Sequence, residues 1–421
     1  MFRRLLRAAH RLSALLLTLL LALLNLRLAW PAAYPPAESL AGSDVPPQLR
    51  HLRGALDAGA GQQMQRLFPE GFFFSYALYG LAWVELGLRE AEGSPGRAEA
   101  LREARWALAR LDTPDGTRIF SPSLDPPLGV FFNGWASWLR GGALLLEPAA
   151  ARNQTEEDRL QADCAALAAA FDRSPTPFLS AYPGQAWAVD STVAVAALRL
   201  CDALFGPRHE RTIAAWLAAA RERLDPATGL MPHRVDPVTG QGLEGARGSS
   251  QSIIARFLVE IDPAWGAEQY ALFRRQFGGR PLGVPGIREY PLGSDGAGDV
   301  DSGPLIFGVS ASATVVAAGA AQLHGDESFA RAVFQTSEAL GMPWRWDGRK
   351  RYAFGLLPVG DAFLAWAKTA RPWIAPLPAA APAAIPPIEW WWRLPFALLS
   401  LLAALLAWLP ALISRRRRRR S

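Results

Sequence analysis

The chain has 421 residues, half of them hydrophobic, and a formal net charge of +6. That excess belongs to the ends: Arg3, Arg4, Arg7, Arg11, Arg27, Arg393 and residues 415–420, all arginine, stand in segments without a single acid, leaving 31–389 at about −6 and giving nucleic-acid binding no support. No HExxH, zinc-spaced cysteine pair, Walker or dinucleotide motif occurs, so neither a metal nor another cofactor is expected.

The first element is a Leu-rich run over 12–30, interrupted by Asn25 and Arg27. Its length suits one bilayer crossing. Ala32-Ala33 offers a signal-peptide cleavage site as the rival reading, but Arg27 sits badly before it, and an uncleaved anchor is expected.

Between 46 and 371 about twelve helical segments alternate in character. Those at 47–66, 96–111, 154–172, 207–224, 263–277 and 326–340 are amphipathic and read as solvent-facing. Those at 71–88, 130–146, 185–205, 248–261, 304–322 and 358–369 are apolar or small nearly all round, so they must be buried on most sides. The apolar members recur at roughly 54–63 residues, the mark of a repeat array. Segments leading into apolar helices are long and rich in Gly, Pro and Asp, whereas those leaving them are short. One face therefore carries most of the irregular chain, where binding sites concentrate.

A Pro/Ala-rich linker follows at 372–389, then Trp390, Trp391 and Trp392 as an interfacial belt. An uncharged apolar run covers 394–413 within a second transmembrane segment, 390–414, and the polybasic tail 415–421 closes the chain. The basic flanks put both termini in the cytoplasm and the middle domain outside the inner membrane, periplasmic or extracellular. The tail reads as a topology signal or a contact for anionic lipids. Cys164 and Cys201 then face an oxidising compartment. A simple antiparallel hairpin would separate them by roughly 13 Å along the axis, too far for a bridge, so two buried free thiols are expected.

The alternation of outer and inner helices, with long loops before the inner ones, resembles the (α/α)6 toroids of the six-hairpin glycosidase superfamily. The linalool dehydratase/isomerase family is similar in fold. The resemblance covers 46–371 and implies an all-α toroid whose inner-helix N-termini line a central pit. The glycosidase-like families imply acids there that act on a sugar chain; the terpenoid enzyme implies site cysteines, which the placement of Cys164 and Cys201 does not match.

The sequence offers candidates at those positions. Gly298-Asp299-Val300-Asp301-Ser302-Gly303-Pro304 sets two acids before the fifth inner helix, with Ser302 or Gly303 as N-cap and Pro304 at the first helical position. Asp299 and Asp301 either stabilise that helix start or project into the pit. Gly308-Val309-Ser310-Ala311-Ser312 lacks the last glycine of a nucleophile elbow and reads as close helix packing. Asp190 lies early in the otherwise apolar third inner helix and needs an Arg partner or a catalytic task. Asp190 and Asp301 are the favoured acid pair for glycoside hydrolysis. His233, in the loop before the fourth inner helix, is the histidine best placed to join them. Tyr182, Trp187, Trp135, Tyr76, Asn133, Gln251 and Glu289 are expected to bind a carbohydrate-like substrate. A lyase or isomerase using Tyr182 and His233, and a non-catalytic glycan- or protein-binding domain, are the alternatives.

Overall fold

The computed structural model describes residues 2–29, 43–376, 385 and 387–418. Trp30, the Ala32-Ala33 step, half of the 372–389 linker and the last three residues of the tail lie outside them. Among the described residues the chain forms sixteen α-helices, one a single turn at Pro114–Thr117.

Helix α1 (Phe2–Ala29) contains the apolar stretch Leu5–Ala29, long and apolar enough to cross a membrane. The domain begins with α2 (Val45–Asp57) and α3 (Ala60–Leu67). These two replace the single outer helix expected over 47–66, because Gly59 takes a left-handed conformation (φ +90°) and breaks it. Apolar α4 (Gly71–Gly87) and amphipathic α5 (Pro95–Leu111) come next, then α6 (Gly129–Leu145) and α7 (Gln154–Arg173). The pattern continues through α8 (Ala188–Phe205), α9 (Glu210–Arg221), α10 (Gly248–Ile261) and α11 (Pro263–Phe277). It ends with α12 (Ala311–Leu323), α13 (Glu327–Leu340) and α14 (Pro358–Thr369). Finally α15 (Leu394–Arg418) holds the second candidate span, Leu394–Ala411.

The apolar helices cover one another. α4 packs on α6, α6 on α8, α8 on α10, α10 on α12, α12 on α14, and α14 back on α4. Their shared centre is filled by Trp135, Phe257 and Trp366, with ring centroids 5.2–6.2 Å apart. Beneath these rings Arg256 pairs with Glu85, which also accepts from Thr369 Oγ1 at 2.6 Å.

The chain is mostly helical, as expected, and three small antiparallel sheets accompany the helices. Strands β1 (Ala186–Trp187), β2 (Arg234–Val235) and β3 (Gly242–Glu244) form one antiparallel sheet. A second runs β4-β5-β7-β6, from β4 (Gly278–Gly279), β5 (Gly286–Arg288), β6 (Leu305–Ile306) and β7 (Val309–Ser310). Hairpin β8 (Trp344–Trp346) and β9 (Arg349–Arg351) is the third. All three lie in segments that lead into apolar helices. They order loops too long to stay irregular in a folded domain.

The fifth inner helix therefore starts at Ala311, not Pro304. Leu305–Ile306 pairs with Val309–Ser310 across Phe307-Gly308, both at positive φ (51° and 78°), the two-residue turn that matches strand twist. Ser310, not Ser302 or Gly303, is its N-cap, accepting from Ala313 N at 3.1 Å. Both cysteines are free and buried, as expected, and Cys164 Sγ donates to Ala197 O at 3.8 Å.

Lys350 and Lys368, the only two lysines, bury their ammonium groups in one cluster. Lys368 Nζ donates to Asp44 Oδ2 (2.5 Å), Tyr352 Oη (2.5 Å) and Glu338 Oε1 (3.1 Å); Lys350 Nζ reaches Asp44 Oδ1 (2.6 Å) and Glu338 Oε1 (2.7 Å). This cluster ties the start of α2 to α13, β9 and α14. Removing one cation strands buried acids, so Lys368→Met is expected to cost roughly 3–5 kcal/mol, read as a lowered denaturation midpoint with unchanged slope.

Candidate active site

Above the aromatic plug lies a cavity of about 580 Å³. Its walls are largely apolar, with Phe74, Phe131, Trp135, Ile253, Val316 and Phe363 among them, from α4, α6, α10, α12 and α14. Glu70, Asp190, Asp299 and Asp301 open into this one space. Glu70 and Asp190 stand at the starts of α4 and α8, whereas Asp299 and Asp301 belong to the loop before the β6–β7 hairpin that leads into α12.

Asp190 is in the first turn of α8, 6% exposed. It makes no hydrogen bond or ion pair among the described residues. Burial, then the nearby charges of Asp301 and Glu70, push its carboxyl well above the usual range. The Arg partner expected of a structural acid is not there.

Asp301 is held in place by its neighbour. Asp299 Oδ1 accepts from Asp301 N and Ser302 N, both at 3.0 Å, while Asp299 Oδ2 sits 2.5 Å from Arg247 Nη1. The serines behind this turn fasten it to α12: Ser310 Oγ donates to Ser302 O (2.8 Å) and Ser312 Oγ to Asp301 O (2.8 Å). Gly308-Val309-Ser310-Ala311-Ser312 thus spans a strand-to-helix junction, not a helix interior. Its hydroxyls cap the helix and support the loop. Solvent reaches Asp301 from the cavity, yet protein crowds the carboxyl. Burial, then Asp299 and Glu70, raise it to about 7. Asp299 moves the other way: despite its desolvation, the Ser302 amide and Arg247 hold it below the ordinary value.

Arg247 is the positive hub. Its Nε donates to Glu289 Oε1 at 2.8 Å, and Glu289 caps α10 by accepting from Ser249 N (3.1 Å) and Ser249 Oγ (2.7 Å). Tyr182 Oη donates to Glu70, and burial with that carboxylate pushes the phenol far up. Tyr182 is set by the turn Tyr182-Pro183-Gly184-Gln185, with Gly184 at φ +69°. His233 stands beside β2, its Nδ1 2.5 Å from Ser250 Oγ. Burial and Arg247 lower it to about 4, so it is neutral at neutral pH. One ligand atom each of His233, Asp299 and Asp301 lies within 4.8 Å of the others, the spread of a small cation site. Arg247 already supplies positive charge to Asp299 there.

Of the residues singled out from sequence, Asp190, Asp299, Asp301, Tyr182, Trp187 and Trp135 line the cavity, and His233 touches its edge through Ser250. Four stand elsewhere. Asn133 Nδ2 bonds Pro127 O and Gly129 O; Tyr76 turns outward against Trp106; Gln251 Nε2 bonds Met231 O; Glu289 holds Arg247. Glu70, which stands directly before α4, is the cavity acid not singled out from sequence. No protein-family model and no curated protein matches this sequence.

Because Asp190 keeps in the folded state a proton that the unfolded chain sheds above about pH 3.9, stability is lost as pH rises from there toward the folded value. Asp190→Asn abolishes that loss. Its Tm should exceed that of the parent near about pH 8, and the difference should vanish near about pH 3.

Proposed function

We propose that the domain is an (α/α)6 toroid, anchored by α1 and α15 as membrane spans with both termini cytoplasmic, and that its cavity cleaves a glycosidic bond. Support for the toroid is the closed succession of contacts from α4 through α14 back to α4. Support for the anchor is the pairing of the two apolar helices, with Trp408 Nε1 donating to Thr18 Oγ1 at 3.0 Å. The orientation follows from the arginines that flank the spans.

One observation carries the chemistry: two carboxyls without cation partners face one apolar cavity, and their environments separate them. Asp190, the more deeply buried, stays protonated and is the general acid toward the leaving oxygen. Asp301, at about 7, ionises first and is the base or nucleophile. Arg247 fixes Asp299 and so aims Asp301. Tyr182 and Trp187, edge to face with centroids 5.9 Å apart, present ring surface to a sugar.

The apolar wall favours a second reading, the acid-assisted loss or migration of a hydroxyl from an apolar alcohol by the same pair. Product analysis separates the two: new reducing ends for hydrolysis, alkenes or rearranged alcohols for the lyase or isomerase.

Reconstituted protein assayed on nitrophenyl glycosides and envelope glycan fragments should release reducing ends. Asp190→Asn and Asp301→Asn should each lower kcat by about 10²–10⁴-fold with the fold retained. The rate should rise with pH through about 7 as Asp301 ionises and fall at higher pH as Asp190 does. Full activity in both variants would end the assignment.

A further inference from the structure

Exposed large apolar side chains are distributed on one side only. Outside α1, the turn before α15, and α15 itself, every one among the described residues lies at the end of an outer helix or in the segment that leads into the next inner helix. None lies on the short connections that leave inner helices. Phe307 is 70% exposed, Trp346 73% and Leu356 77%. Phe307 and Phe354 sit at turn tips with φ of 51° and 59°. Non-glycine residues held there carry backbone strain that no core packing repays. Trp344 and Trp346, two apart on β8, share one outward face, while Arg345 between them turns back to Asp44 at 2.9 Å. Tryptophan favours the membrane–water boundary.

This apolar rim is also the mouth of the cavity: Leu67, Val300 and Leu357 belong to both. The strap before α15 leads to the same side. Ile388 N bonds Ser328 Oγ at the start of α13, and Arg393 reaches Gln335 further along it. Pro395 and the Trp392 carbonyl then press on Gly283, in the loop after α11, so tightly that no Cβ would fit. Leu28 of α1 joins Trp392, Ala332 and Ala339 in one apolar cluster. Both candidate spans thus meet the domain beside its loop-bearing face, at the end of α13 where the rim begins.

We infer that the loop-bearing face rests on the bilayer, and that the cavity opening through it takes a membrane amphiphile whose apolar portion lies along the Phe74, Phe131, Val315 and Val316 wall. The surface assignment rests on the anchoring by α1 and α15. What is done to the bound amphiphile rests on the acid pair.

The test is photolabelling of the full chain in phosphatidylethanolamine/phosphatidylglycerol vesicles doped with a phospholipid bearing a diazirine in its acyl chain, with adducts mapped by mass spectrometry. Adducts are expected on α1 and α15, on the rim at 306–307 and 354–357, and on cavity segments 72–74 and 315–316. They are not expected on the opposite connections at 90–94 and 148–153. Phe307→Glu/Leu356→Glu should lower rim and cavity adducts on the order of fivefold while leaving those on α1 and α15 unchanged. Adducts confined to α1 and α15 would overturn the inference; rim adducts with an unlabelled cavity would overturn its amphiphile. No adducts on α1 and α15 would remove the anchor itself. None of these outcomes depends on turnover, so a failed hydrolysis assay leaves the inference standing.

Discussion

The structure depends on six helices that have no polar face. A helix apolar all round is stable in water only when neighbours cover every side. Here α4, α6, α8, α10, α12 and α14 cover one another laterally, amphipathic helices cover their outer flanks, and Trp135, Phe257 and Trp366 fill the centre. What remains uncovered is the N-terminal ends, whose first amides lack intrahelical partners. Polar chain must come there: Glu289 serves α10 and Ser310 serves α12. The same constraint that builds the core gathers acids from distant parts of the chain into one opening.

Cation supply separates the acids that hold the fold from those that do not. Buried Glu85 has Arg256, Asp326 has Arg274, and Asp44 has both lysines. Glu260 accepts three backbone amides at 373–375, Asp202 those of Arg208 and His209, and Asp361 that of Tyr352. Arg247 is shared by Glu289 and Asp299. Among the described residues Asp190 alone of the buried acids has neither cation nor donor. A scaffold that partners every other buried acid has left this one facing Asp301 and Glu70, at a cost in stability that a purely structural residue would not impose.

Much of this was legible from sequence because helix character is set by periodicity, and periodicity survives without knowledge of contacts. The outer and inner alternation matches the observed helices within a few residues at most boundaries. It failed where a local turn competed with a capping rule: Pro304 suits a helix start, but Phe307-Gly308 folds back into a hairpin, and nothing in a Phe announces positive φ. Side-chain direction was the least legible. Phe74 lines the cavity while Tyr76, two residues on, faces Trp106, a difference of about 200° around the helix that residue type cannot reveal. Asn133 and Gln251 spend their amides on nearby carbonyls. The walls that remain are more apolar than a sugar pit requires.

Charge explains why the face toward a membrane would have to be apolar. Residues 31–389 carry about −6, and anionic lipid headgroups repel such a domain. Electrostatic attraction is therefore unavailable to position it, and two spans alone would leave its tilt free. On the proposed seating, the strap along α13 would limit that tilt by fixing where α15 begins, and the exposed side chains around Phe307, Trp346 and Leu356 would meet the interface with apolar surface. On this account the amphipathic architecture repeats at a larger scale: each outer helix shows one apolar stripe to the core, and the whole domain would show one apolar face to the bilayer, with its acids lining the cavity that opens through that face.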